Sequence, residues 1–429
     1  ANSCRFDDGS SDNLTRSNPG AGNVRTWTYS VWFKLSLLPA AYRLFSIGTG
    51  ASGPIFSIFF TAGDLRIEND NASTNVLGFR TDQVFRDPGA WSHLVVACDT
   101  TQGTEANRFK IYHNGTQITS FSTSNYPAVN ADTYVNGTTG SSTIGARAAS
   151  PSNTYFDGYM SEVVIIDGQQ LTPTSFGEFN SQTGIWVPKV VTGLTFGTNG
   201  FYQNYSNSGA LGEDFSGEDN DFTVNNLTSL DQSTDTCSTN FATMNPLSNY
   251  YNSDAAFSDG NNTVECGGTA SAAITSTIGA SSGKWYAEFK NVTGSGGGSV
   301  FGIESLSYQT GVTHYVGYNS YSWGYFQQDG KIKNNNSDIA TYSSQTNGDI
   351  CGIALDLDNN KLYFSKNGTW QNSADPSAGT GGISITAPAS TDTGVYLFSG
   401  SDDNQYASRT FSSDFGSPVY AISSGNTDG

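Results

Sequence analysis

Lysine and arginine together supply only 19 of the 429 residues, histidine three and methionine two. Each scarcity removes a class of function. Against 38 acidic residues the few cations leave a net charge of −19 and a pI near 4.3, with no basic cluster. Such a surface repels phosphate backbones and anionic bilayers, so neither nucleic acid nor membrane is expected as a partner. No apolar run reaches transmembrane length, and the opening shows no basic–apolar–small signal pattern. The expectation is a soluble product without its own secretion signal, with Ala1 following a trimmed initiator Met. The five cysteines (Cys4, Cys98, Cys237, Cys266, Cys351) are far apart and lack any C-x-x-C pair. That argues against a zinc cage or a disulfide framework and for free, partly buried thiols in a reducing cytosol. There is no Walker loop or H-E-x-x-H pattern.

What is abundant points one way. Glycine (49), phenylalanine (26) and tyrosine (22) are frequent, and charged residues are only 13%. Aromatic, turn-forming and small polar residues favour many short strands over helices. RTWTYSVWFKL (25–35), WSHLVVACD (91–99), FKIYHNG (109–115) and YMSEVVIID (159–167) alternate or run apolar for strand length, with turn clusters between most of them. A short helical turn is expected at Thr174–Phe179, after Pro173. From about 263 the pattern returns in GKWYAEFKNV, SVFGIES, SWGYFQQDGKIKNN and DICGIALDLDNNKLYFSKNGTW. Asn114-Gly115 and Asn367-Gly368 break FKIYHNGTQI and KLYFSKNGTW in the same way, which reads as one hairpin used twice.

The fold class is therefore all-β: two β-sandwiches, residues 1–190 and 263–429, joined by residues 191–262. The joining stretch is acidic and loosely patterned but carries Phe222, Leu227, Phe241, Met244 and Leu247 as apolar anchors. It reads as an ordered, mostly irregular connector.

These residues support a resemblance. WTYSVWFKL, WSHLVVACD with FKIYHNGTQI, IGA at 144–146 and YFDGYMSEVVIIDGQQLT at 155–172 resemble laminin-G-like, concanavalin-type jelly rolls. GKWYAEF, FGI, YVGY, WGYFQQDGKI, GDICGIALDLDNNKLYFSKNGTW and YLFSG follow the order of a SPRY domain, itself concanavalin-like. QYASRTFSSDFG at 405–416 departs from that family's ending. The connector LGEDFSGEDNDFTVNNLTSLDQSTDTCSTNFATMNPL is similar to a segment of tailed-bacteriophage structural proteins, as is the opening ANSCRFDDGSSDNLTR. The resemblance implies a non-enzymatic protein on the virion surface, made in the bacterial cytoplasm. It would be a tail-fibre or appendage component, with other virion proteins and host-surface glycan as partners. Fibres of this kind are commonly trimeric, so a homo-oligomer is implied. The alternatives are a capsid decoration or assembly joint, and a polysaccharide depolymerase.

Candidate sites follow from the loops. His314, Tyr318, Tyr321 and the tract Asn334, Asn335, Asn336 have a turn-like context that suits a ligand, while Trp323 and Tyr325 read as packing residues. Asp64, Asp99 and Asp157 sit at strand ends, where they serve either calcium, as laminin-G-like rims do, or ordinary turn capping. Asp214, Glu218, Asp219 and Asp221 carry the same two readings. Glu213-Asp214-Phe215-Ser216-Gly217-Glu218 has Phe where the middle acid of a sandwich hydrolase stands, and Glu162 is isolated, so glycosidase chemistry is not expected. His93 and His113 read as structural.

Overall fold

The computed structural model describes residues 2–38, 41–49, 55–70, 75–148, 154–248, 255–266, 273–293, 298–305, 314–402 and 408–420. The chain divides into two compact units, Ala1–Asn240 and Phe241–Gly429. Each is an antiparallel sandwich. Among the described residues no helix is long and apolar enough to cross a membrane.

In the first unit one sheet runs Thr116–Gln117, Phe109–His113, Ser92–Asp99, Thr26–Leu35, Gly158–Asp167, Ser3–Phe6, Gln232–Ser233, with Phe201–Gln203 also on Gly158–Asp167. The other runs Phe121–Asn125, Asn75–Val84, Asp64–Asp70, Ile55–Thr61, Ala41–Gly48, Ser141–Ile144, Asn13–Ser17, Thr223–Asn225. Alternation sends Trp27, Tyr29, Val31 and Phe33 of one strand inward, where Trp27 meets Phe56 edge-on at 5.3 Å and Tyr29 stacks on Phe45 at 5.2 Å. The outer face of Gly158–Asp167 is covered too: Val164 and Ile166 pack with Phe176 and Phe196. A single helical turn occupies Glu105–Arg108. The turn expected at Thr174–Phe179 is one 3-10 turn at Pro173–Ser175. Gly177–Phe179 instead pairs as a strand with Trp186–Pro188, and the Trp186 ring lies over Gly177, where a Cβ would meet it at 2.6 Å.

In the second unit one sheet runs Ala256–Ser258, Thr263–Cys266, Arg409–Asp414, Lys284–Thr293, Ile350–Asp356, Lys361–Lys366, Thr369–Trp370. The other runs Ala273–Thr275, Leu397–Asp402, Ser299–Glu304, Ser322–Phe326, Lys331–Asn334, Ser337–Thr341. Phe289 stacks on Phe301 across the core at 5.0 Å, and Tyr325 meets Phe364 at 5.3 Å. Trp323 and Tyr325 are core residues. Of the segment 405–416, Gln405–Ala407 lie outside the described residues, and Arg409–Asp414 is an interior strand between Thr263–Cys266 and Lys284–Thr293.

Residues 191–262 contribute strands to each unit. Phe201–Gln203, Thr223–Asn225 and Gln232–Ser233 complete the first sandwich, with Phe222 and Leu227 in its core. Ala256–Ser258 belongs to the second, where Met244 is buried; Leu247 is exposed. The two Asn-Gly breaks are the same hairpin: Asn114 and Asn367 take φ of 46° and 48°, and Gly115 and Gly368 both take 77°. None of the five cysteines is in a disulfide.

Candidate functional site

The second unit brings together the loop residues singled out in the sequence. The stretch 314–321 lies against the Asn334–Asn336 turn at one end of the sheet. Asn335 and Asn336 hold φ of 51° and 56°, and their amides donate to the carbonyls of Asn319 and Gly317 at 3.0 Å each. Asn334 Nδ2 reaches the Ser320 and Ser322 carbonyls at 3.0 and 2.9 Å, and the Tyr315 hydroxyl donates to Asn336 Oδ1. His314 is 3% exposed; its Nε2 lies 2.8 Å from Glu304 Oε1 and its Nδ1 3.1 Å from Asn319 Nδ2. Glu304, equally buried, also accepts from Ser322 Oγ and Ser399 Oγ. The histidine therefore fastens the loop from beneath and has no free ring nitrogen to offer a ligand. The asparagines spend much of their capacity on the turn itself. Tyr318 and Tyr321 are half-buried, and among the described residues their hydroxyls make no hydrogen bond, so these two carry what the rim presents outward.

The opposite end of the same sheet holds a cavity of about 400 Å³. Ser299–Glu304 connects the two places: Glu304 is under the rim and Ser299 lines the cavity. Its wall includes Asn291, Gln327, Gln328, Gln345, Thr346 and Arg409. Asn291 stands at a bulge, where the pairing of Lys284–Thr293 with Arg409–Asp414 shifts register. Gln327 N and Gln345 N are held by the Ser299 and Gln327 carbonyls, and Gln327 Nε2 donates to Tyr325 O at 2.9 Å. These bonds fix the backbone and the Gln327 side chain but leave Asn291 Nδ2 and Gln327 Oε1 without a partner, although Asn291 is 5% and Gln327 2% exposed. A buried amide atom left unmatched loses its water without replacement, a cost of about 1–3 kcal/mol that a bound hydroxyl or water relieves. The lining carries amides, hydroxyls and one buried arginine, and no carboxylate. It offers hydrogen bonds to a polyol but neither the acid nor the nucleophile that glycoside cleavage requires. Nothing local in the sequence marks these residues, because five separate strand ends supply them.

The first unit's aspartates are dispersed. Asp64 is held between Arg66 Nε at 3.3 Å and Arg80. Asp99 accepts from Thr101 N at 3.0 Å, Thr101 Oγ1 and Gln102 Nε2 at 2.6 Å each; burial opposes its ionisation, but these donors hold its carboxyl below the ordinary value. Asp157 is buried. Among the described residues no three His, Cys, Asp or Glu side chains gather closely enough to hold a metal ion. In the acidic stretch Asp214 caps its turn, accepting from Tyr202 N, Ser216 N and Asn220 N at 2.8–2.9 Å.

His93 lies between the Trp32 and Trp186 rings, accepts from Trp186 Nε1 at 3.0 Å and pairs with Ser30 Oγ at 2.9 Å. Burial, and secondarily His113, pushes its pKa down to about 3, so it is a neutral core residue.

Residues 8–175 match the Concanavalin A-like lectin/glucanases superfamily, in its laminin-G form, and residues 284–379 match the SPRY domain. The chain thus contains a laminin-G-like domain and a SPRY domain. Similar solved structures include the SPRY domain of human HERC1, at 17% identity over 40% of this chain and 96% of that one (TM-score 0.33). A heptameric SAP-like pentraxin from Limulus polyphemus is 19% identical over 38% and 71% (TM-score 0.28). A candidate carbohydrate-binding protein from Bacteroides ovatus is 12% identical over 52% and 58% (TM-score 0.36). No curated protein matches the chain.

Proposed function

We propose that the protein is a non-enzymatic binding protein whose SPRY unit takes an uncharged glycan in the amide-lined cavity, with Tyr318 and Tyr321 as a separate contact surface at the opposite rim. The carrying observation is the pair of buried, unmatched amide atoms, Asn291 Nδ2 and Gln327 Oε1, in a wall without carboxylates. Sugar hydroxyls both donate and accept, so one ring can satisfy both atoms. A net charge of −19 favours a neutral glycan over an acidic one. The lectin-containing superfamily of the first domain is in keeping with this reading. A glycan array probed with the full chain tests it: neutral oligosaccharides are retained, and Gln327→Ala and Asn291→Ala each weaken retention by roughly tenfold, the loss of one good hydrogen bond. Retention unaffected by both variants would refute the site.

The setting is proposed from the connector's similarity to tailed-phage structural proteins: a tail-fibre or appendage component on the virion surface, assembled as a homo-oligomer, trimeric in the simplest case. Mass spectrometry of purified virions is expected to find the chain, and its absence would end that assignment. Density at the capsid instead of the tail would make it a decoration or assembly joint.

A further inference from the structure

Lys34 stands on the outer face of Thr26–Leu35, opposite Tyr159, yet its side chain is only 1% exposed. Its ammonium lies 2.8 Å from Asp235 Oδ2, 2.8 Å from Asn240 Oδ1 and 5.7 Å over the Tyr159 ring. The two acceptors come from one tight turn. Thr236 and Thr239 exchange backbone hydrogen bonds at 3.0 Å each, so Asp235 and Asn240 stand side by side at its two ends. The turn is fastened to the sheet: Gln232–Ser233 pairs with Ser3–Phe6, and Ser3 Oγ donates to the Asp235 carbonyl at 2.6 Å.

Hydrogen bonds orient all three groups. Trp91 Nε1 donates to Asp235 Oδ1 at 2.8 Å, and Oδ2 faces the ammonium. Asn240 Nδ2 donates to Gly89 O at 2.8 Å, which turns the amide nitrogen away from Lys34 and the amide carbonyl toward it. A buried lysine needs a carboxylate to balance its charge, and Asp235 supplies that. Asn240 adds what an ion pair lacks, an electrophilic carbon beside a nucleophilic nitrogen. Holding amine, carboxylate and carbonyl in contact makes their reaction intramolecular, with effective molarities that reach roughly 10⁵–10⁸ M in well-oriented cases. Lys34 and Asp235 are buried, whereas Asn240 is exposed, so a small leaving group has a way out.

We propose that Lys34 and Asn240 join in an intramolecular isopeptide bond, with Asp235 as the proton carrier. Asp235 takes a proton from the Lys34 ammonium, and the freed lone pair attacks Asn240 Cγ while the carbonyl electrons move to Oδ1. Asp235 passes that proton to Nδ2; the Cγ–Nδ2 bond breaks as the carbonyl re-forms, and ammonia leaves. The extra proton left on Nζ reaches the ammonia through Asp235. One lysine ammonium and one primary amide thus become one secondary amide and one ammonium ion, and Asp235 ends as it began. The bond ties Asn240, the last residue of the first unit, to an interior strand of its sheet.

Intact-mass spectrometry and peptide mapping of the denatured full chain test this. The wild-type chain is expected to be one ammonia lighter than its sequence, with trypsin cleavage after Lys34 lost and a branched peptide joining Lys34 to Asn240. Asp235→Asn keeps both reacting groups and is expected to lose the branch. Asn240→Ala changes only an exposed residue; it is expected to stay folded by circular dichroism, with the full sequence mass and cleavage after Lys34 restored. A wild-type chain of full mass that is cleaved normally after Lys34 would overturn the proposal. So would a branch that joins Lys34 to Asp235 with loss of water, or one that persists in Asp235→Asn.

Discussion

Asn114 and Asn367 show how much one turn residue does. Besides adopting a positive φ, each donates its backbone N–H to the carbonyl of a residue at the start of the neighbouring strand and accepts that residue's N–H on its side-chain oxygen. The bonds are 2.9 and 2.7 Å to His93, and 2.8 Å each to Ile350. Asn367 Nδ2 also donates to Asp349 Oδ1 at 2.7 Å. Replacement by alanine loses both the αL preference and the side-chain bond, a destabilisation of about 1–3 kcal/mol. Asn367→Ala is expected to cost more than Asn114→Ala because of the additional bond, and urea unfolding of the two variants checks the order. His93 gives a second prediction at this scale. Unfolded, it binds a proton near 6.5; folded, at about 3. Below 6.5 the unfolded chain holds the extra proton, so stability is lost as the pH falls through that window, by up to about 1.4 kcal/mol per unit. His113, also pushed down by burial, adds to the slope. Urea midpoints at pH 7 and 5 should converge for His93→Gln relative to wild type; an unchanged slope would contradict the account.

Among elements, the long strands are legible because their alternation is dictated by a two-sided environment. TWTYSVWFKL could hardly be anything else, and the hairpin turns announce themselves in Asn-Gly. The strands of two or three residues within 191–262 are not legible. Thr223–Asn225 and Gln232–Ser233 carry no alternation long enough to read, and they exist because Asn13–Ser17 and Ser3–Phe6 leave edges that need a partner. The candidate sites divide in the same way. The Tyr318–Asn336 rim lies in two nearby aromatic and asparagine-rich turns, so its clustering was visible in sequence, whereas the burial of His314 depended on Glu304 approaching from another strand. The amide cavity joins Asn291, Gln327, Gln345 and Arg409 from ends that only the sheet order brings together.

At the scale of the whole chain, those short edge strands make a prediction about where a stable fragment ends. A fragment 1–190 lacks Phe201–Gln203, Thr223–Asn225 and Gln232–Ser233, and with them the core residues Phe201, Phe222 and Leu227. It exposes two sheet edges and a gap in the core. Fragment 1–240 keeps all of them. Circular dichroism and size-exclusion chromatography should find 1–240 folded and monodisperse and 1–190 aggregated or unfolded; a well-folded 1–190 would show that the added strands are dispensable.

The central claim is glycan recognition without cleavage by the amide cavity of the SPRY unit. Its most direct measurement is isothermal titration of the full chain with the neutral oligosaccharide best retained on the array, set beside Gln327→Ala, with the same mixture assayed for reducing ends. The account predicts saturable binding, a roughly tenfold loss in the variant, and no new reducing ends. Binding of equal strength in Gln327→Ala, or release of reducing ends by the wild-type chain, would contradict it.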